Sequence, residues 1–184
     1  MAVKNYHLDK YHILSSTESI IEEILRSCQS MKDEYFFKGN GQWSAAENLE
    51  HLRLSFAHSW QGLFLPKFLI KWKFGKPTHE SLPYEELQEI YRSKLSEGVT
   101  AGKRYVPKIV AGKDTKEQLL DRFSQTTTRY LNEIRYYWED ELIDQYQLPH
   151  PVLGLITARE LMYFNIFHCW HHFTTIRRRK EDTF

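Results

Sequence analysis

Two cysteines, eight glycines and six prolines in 184 residues leave several protein classes without support. Cys28 and Cys169 are too few for a disulfide framework and both fall inside helical patterns, so a reducing, cytoplasmic setting is expected. Sparse Gly and Pro beside 15% aromatic residues exclude collagen-like and disordered chains. An excess of one charge is missing too. With 25 Lys+Arg against 24 Asp+Glu there is no broad positive field to displace counterions, and no nucleic-acid partner is expected. The longest apolar stretch, Leu63 to Phe74, is broken by Pro66, Lys67, Lys71 and Lys73. It falls short of the ~20 residues a membrane span needs, so a soluble protein without a membrane partner is expected. Met1 to Ile13 has no apolar segment followed by a small-residue cleavage site, so no secretory signal is expected. The length suits a single domain over residues 1–184, enough for one core and short for two.

What the sequence does have is a repeated helix-start signal. In a capping box, Ser, Thr or Asp is followed three residues later by Glu or Gln, and the two side chains satisfy backbone N–H groups left unpaired at the helix start. Ser15 with Glu18 precedes Ile20, Ile21, Ile24, Leu25 and Cys28; Ser44 with Glu47 precedes Leu49, Leu52, Phe56, Leu63 and Phe64. Asp114 with Glu117 precedes Leu119, Leu120, Phe123, Thr127, Tyr130, Leu131 and Ile134. Thr157 with Glu160 precedes Leu161, Phe164, Ile166 and Phe167, and Arg177 to Lys180 then suit a solvated helix end. The spacings predict four amphipathic helices, the second ending towards Pro66. Lys73 to Lys113, with Gly75, Pro77, Pro83, Gly98, Gly102, Pro107 and Gly112, reads as a crossover holding a short helix from Pro83 to Leu95. Leu148 to Pro151 interrupts the chain before the last helix. Strand signals are weak, and the expected fold is an all-α four-helix bundle with a long crossover between helices 2 and 3.

Nine histidines stand out. His168 and His172, four apart in the fourth helix, lie on one face, where two imidazoles can share one ion. A metal site with an open position takes three protein ligands, and His51, in the register of Glu47, is the best third candidate. His58 lies seven residues further, about 10.5 Å along the axis, and cannot join it. His171 is turned about 100° from His172. The competing reading is partly buried imidazoles hydrogen-bonded to carbonyls or to Glu and Tyr side chains. His7, His12, His79 and His150 fall in termini or loops and are expected at the surface, while Trp43 is placed to line a pocket. The zincin motif, paired Glu-x-x-His motifs, Cys-x-x-Cys, a phosphate loop and a nucleophile elbow are all missing.

The string Trp43-Ser44-Ala45-Ala46-Glu47-Asn48-Leu49-Glu50-His51-Leu52 resembles the opening of the second helix in the DinB/YfiT-like superfamily. His150-Pro151-Val152-Leu153-Gly154, Glu160-Leu161, and His168 to His172 with Ile176 resemble its last stretch. The resemblance implies a DinB-like four-helix bundle in which His51, His168 and His172 hold a divalent metal, zinc or nickel. Phe173-Thr174-Thr175 stands where members often carry Arg-Gly-Gln, which alters the rim. The superfamily includes thiol-dependent S-transferases, so the leading expectation is a metal-dependent transferase. A low-molecular-weight thiol is the cosubstrate, a small molecule the substrate, and Glu47 orients a ligand or accepts a proton. A hydrolase is the same site with water as nucleophile. The rival is a non-catalytic binding or stress-response protein with a structural or absent metal. A homodimer is expected in either case.

Overall fold

Four long helices carry the structure: α1 (Lys10–Ser30), α3 (Ala45–Leu63), α6 (Lys116–Tyr137) and α7 (Ala158–Glu181). The computed structural model describes residues 7–39, 41–100, 102–109 and 113–181, with side chains as far as Arg179. Gly112, the Lys180 side chain and residues 1–6 of the N-terminal segment Met1 to Ile13 lie outside the described residues. Helix α3 packs on α6 and α7, and α1 packs on the same two, so α1 and α3 are diagonal in a closed ring. This is the expected all-α bundle. Its core is filled from the apolar stripes: Ile20 and Ile24, Leu49 and Phe56, Phe123 and Tyr130, Met162 and Ile166, all essentially inaccessible. Burying each such side chain contributes about 1.5–3 kcal/mol, and the Phe56 ring meets Tyr130 and Phe123 edge-on at 5.0 and 6.1 Å.

Two of the four expected helix starts hold. Ser44 and Glu47 cap α3 reciprocally, and at α7 Thr157 N donates to Glu160 Oε2 (2.7 Å) while Glu160 N donates to Thr157 Oγ1 (3.1 Å). The other two move. Helix α1 begins earlier, because Asp9 accepts the His12 N–H at 2.8 Å. Ser15 is therefore mid-helix and its hydroxyl back-bonds to the His12 carbonyl, while Glu18 pairs with Arg135. Helix α6 begins one residue later than expected, with Thr115 and Gln118 as the box; Asp114 instead pairs with Arg122 at 2.7 Å. Nearby capping residues offer alternatives: at α1 a partner on α6 takes Glu18 from the Ser15 box, and at α6 the choice is made within the first two turns.

A single-turn α2 (Asp33–Phe36) follows α1. As expected, α3 ends before Pro66 and Pro83 opens α5 (Tyr84–Ser96) within the crossover, while a short α4 (Lys67–Phe74) that the spacings did not predict follows Pro66. Phe64, expected on the buried stripe, is 62% exposed, its ring beside that of Trp60 at 5.3 Å. Leu148 to Pro151 is also corrected. Leu148 to His150 fall in β1 (Gln147–His150), which pairs antiparallel with β2 (Gly154–Thr157). The three-residue loop closes on Gly154 at φ 78°, a left-handed position that favours glycine. No Asn-Gly or Asp-Gly marks this turn, so it left no familiar signal.

His79 is not a free surface residue. Its Nε2 lies 3.1 Å from both oxygens of the fully buried Glu160, which also accepts from Leu82 N at 2.9 Å. One carboxylate therefore caps α7 and pins the crossover to it.

Candidate metal centre

Helix α3 supplies His51, and α7 supplies His168 and His172 one turn apart on its inward face. His51 Nε2 and His172 Nε2 each stand 3.1 Å from His168 Nε2, and all three ligand atoms lie within 4.8 Å of one another. His58 stands apart, its Nδ1 3.2 Å from Gln61 Oε1 and its ring against Tyr105, and His171 is exposed at the rim.

Hydrogen bonds set which nitrogen of each ring is free. His51 Nδ1 lies 2.7 Å from the Tyr105 carbonyl, which only accepts, so Nδ1 carries the proton. Asn48 Nδ2 donates to the carbonyls of Trp43 and Ser44, which turns Oδ1 towards His172 Nδ1 at 2.7 Å. His172 Nδ1 is thus a donor as well. Both Nε2 atoms are left as lone pairs aimed at His168. A proton on His168 Nε2 can serve only one of them, and a proton on Nδ1 leaves three lone pairs converging. His168 Nδ1 is itself buried without a partner. The cluster is short of positive charge in either case, and a cation at the centre resolves it. Two nitrogens bound tetrahedrally to one zinc stand about 3.3 Å apart, close to the two 3.1 Å spacings from His168, with the third pair within 4.8 Å. The three residues fit a metal ion.

Burial lowers the pKa of His51, and burial together with neighbouring imidazoles holds those of His168 and His172 well below the usual value. All three are neutral near pH 7, the state a metal ligand requires. Trp43 packs over His51 and His172 at 4.8 and 6.3 Å between centroids, and Phe164 stacks on His168 at 4.7 Å. The triad opens on a cavity of about 860 Å³, within the range of small-molecule sites. Tyr91, Tyr105, Leu148, His150 and Phe164 are among its walls. Trp43 lines the cavity as expected, whereas Phe173 packs against Trp170 instead.

Glu47 stands elsewhere. Its Oε2 accepts from Ser44 N at 2.7 Å and Ser44 Oγ at 2.9 Å, and it is not among the cavity walls. Three contributors escaped sequence reasoning. The Tyr105 carbonyl comes from a 3₁₀ turn (Lys103–Tyr105) in the crossover, where nothing marks a backbone acceptor. Asn48 stood inside the quoted string, one turn before His51, and that spacing could have flagged it. His150, expected at the surface, is buried, because the hairpin folds it into the cavity wall.

Asn48 yields a direct expectation. Asn48→Ala removes the acceptor that orients His172 and should weaken metal affinity roughly 10- to 100-fold. Competition titration against a chelator measures this, and the melting temperature of the metal-free variant separates it from loss of the Asn48 bonds to the Trp43 and Ser44 carbonyls.

A four-helix bundle with three convergent imidazoles on a ligand-sized cavity defines a class of bundle protein able to hold a metal. The chain belongs to the DinB superfamily, whose model matches residues 14–176. None of the curated proteins matches it. No helix among the described residues is long and apolar enough to cross a membrane.

Proposed function

We propose that the chain is a metal-dependent enzyme that joins a small thiol to an apolar electrophile. The observation that carries the reading is the convergence of three imidazole Nε2 atoms on an accessible cavity. A divalent ion there, zinc or nickel, would supply the positive charge that lowers a thiol's pKa from its free value of about 8.5. The chain's own residues do the rest. The Tyr105 carbonyl and Asn48 hold His51 and His172 in the ligating tautomer, and Trp43, Tyr91 and Phe164 give an aromatic electrophile apolar surface and keep water out. The thiol comes from solution, because Cys28 and Cys169 are buried and burial pushes both thiols up, Cys28 to about 12.

Attack on a chlorinated aromatic forms a C–S bond as chloride leaves. Attack on an epoxide breaks a C–O bond, and the thiol's proton ends on the new alcohol. Glu47 acts as a positioning residue in this reading, holding the start of the helix that bears Asn48 and His51. Glu47→Gln keeps the cap's geometry and removes its basicity, so an unchanged pH–rate profile supports positioning over proton transfer.

The test uses protein purified without a polyhistidine tag, loaded with zinc or nickel, and screened with low-molecular-weight thiols against chlorinated aromatics and epoxides. Conjugation that disappears with a chelator is the expected result. Metal-dependent hydrolysis of an ester or amide without conjugation makes water the nucleophile. Neither activity at full occupancy makes this a binding protein whose cavity holds a small apolar ligand. Light scattering tests the expected homodimer.

A further inference from the structure

The hairpin tip fixes a second tautomer, away from the triad. His150 Nδ1 lies 3.3 Å from Val152 N and 3.1 Å from Leu153 N. Backbone N–H groups only donate, so Nδ1 is the lone pair and the ring proton sits on Nε2. That Nε2–H makes no hydrogen bond to any described residue. It is also absent from the sealed, unpartnered polar atoms of the described residues, which are Gln147 Oε1, His168 Nδ1 and Arg179 Nη2. His150 lines the cavity while being only 8% exposed. A lone donor on a buried ring in an apolar wall has the form of a ligand contact.

Its place relative to the triad follows from two ring contacts, one edge-on and one stacked. The His150 ring lies 4.2 Å from Phe164, and Phe164 lies 4.7 Å from His168, so the two imidazoles are no more than about 9 Å apart. A small molecule can span that distance, with one end at the triad and the other at His150.

We propose that His150 is a specificity-determining residue whose Nε2–H donates to a neutral acceptor, a carbonyl oxygen or its equivalent, on an apolar substrate held in this cavity. Burial keeps the ring's pKa down at about 4, so the donor is uncharged near neutral pH and offers no ion pair to a carboxylate. The proposal rests on the cavity being the substrate site and adds a substrate class: apolar electrophiles bearing a neutral acceptor a few bonds from the reacting atom.

The probes are 4-phenyl-2-butanone and butylbenzene, which share a skeleton and differ by one carbonyl oxygen, measured by equilibrium dialysis against the full chain. His150→Phe should weaken the ketone roughly three- to tenfold, the worth of one neutral hydrogen bond, and leave butylbenzene unchanged. His150→Gln, which keeps a side-chain N–H, should hold the ketone close to wild type. On the unaltered protein, the imidazole nitrogen resonances of His150 should show the Nε2–H tautomer, and Nε2 should shift with the ketone and not with the hydrocarbon. That measurement stands whether or not a variant folds. Parallel changes for both probes make His150 merely a wall, and absence of binding by either also overturns the inference. Metal retention and thiol conjugation are read separately. Lost ketone preference with conjugation intact sinks this inference alone, and lost conjugation with the preference kept sinks the thiol reading alone.

Discussion

His51→Ala and His172→Ala should each reduce metal retention after gel filtration from stoichiometric to a trace, while His171→Ala leaves it nearly intact. The contrast is geometric. His51 and His172 each bring an Nε2 to within 3.1 Å of His168 Nε2, whereas His171 stands exposed at the rim. Atomic absorption on untagged protein decides it, and equal loss from all three would place the site elsewhere on α7. The same geometry sets a pH window. Burial lowers the folded-state pKa values of the three ligands below the unfolded value of about 6.5. Above pH 6.5 both states are neutral and this stabilisation is fully present; as pH falls the unfolded chain takes up protons first and stability drops. Retention should persist through pH 6.5 and fail only in more acidic buffer. Bound metal should raise the melting temperature, since it binds the native state.

Glu160→Ala should lower the unfolding free energy by roughly 3–5 kcal/mol, a large part of the 5–15 kcal/mol typical of a domain. Three donors converge on this inaccessible carboxylate: Thr157 N, Leu82 N and His79 Nε2. Removing it breaks the carboxylate half of the α7 capping box and leaves the backbone N–H groups of Thr157 and of Leu82 in the crossover without an acceptor. Glu160→Gln, which keeps one acceptor, should cost less. His79→Ala should cost under about 1 kcal/mol, because that side chain is 38% exposed and the lost contact is near water. Denaturant titration of the three variants orders these effects. A Glu160→Ala cost no larger than that of His79→Ala would show that water enters and replaces the carboxylate.

Much of this protein is determined by interactions that span one helical turn, and those are legible in the chain itself. The Ser44–Glu47 and Thr157–Glu160 boxes, the apolar stripes and the shared face of His168 and His172 all follow from spacings of three and four. His51 was the best third candidate from its place in its own helix, and the resemblance to DinB-like bundles joined it to that pair across 117 residues. Where local signals were degenerate, spacing alone did not choose: Asp9 caps α1 in place of Ser15, with Glu18 drawn to Arg135 on α6, and Thr115 caps α6 in place of Asp114, which pairs with Arg122. The hairpin formed without a familiar turn signal and carried His150 from an expected surface position into the cavity wall. The ligating tautomers were likewise decided only in three dimensions. His51 takes its acceptor from a carbonyl 54 residues away, and His172 takes its acceptor from an amide 124 residues away. Sequence periodicity places a side chain on a face of its own element. Which nitrogen of an imidazole holds the proton depends on atoms that only the folded chain brings within hydrogen-bond reach.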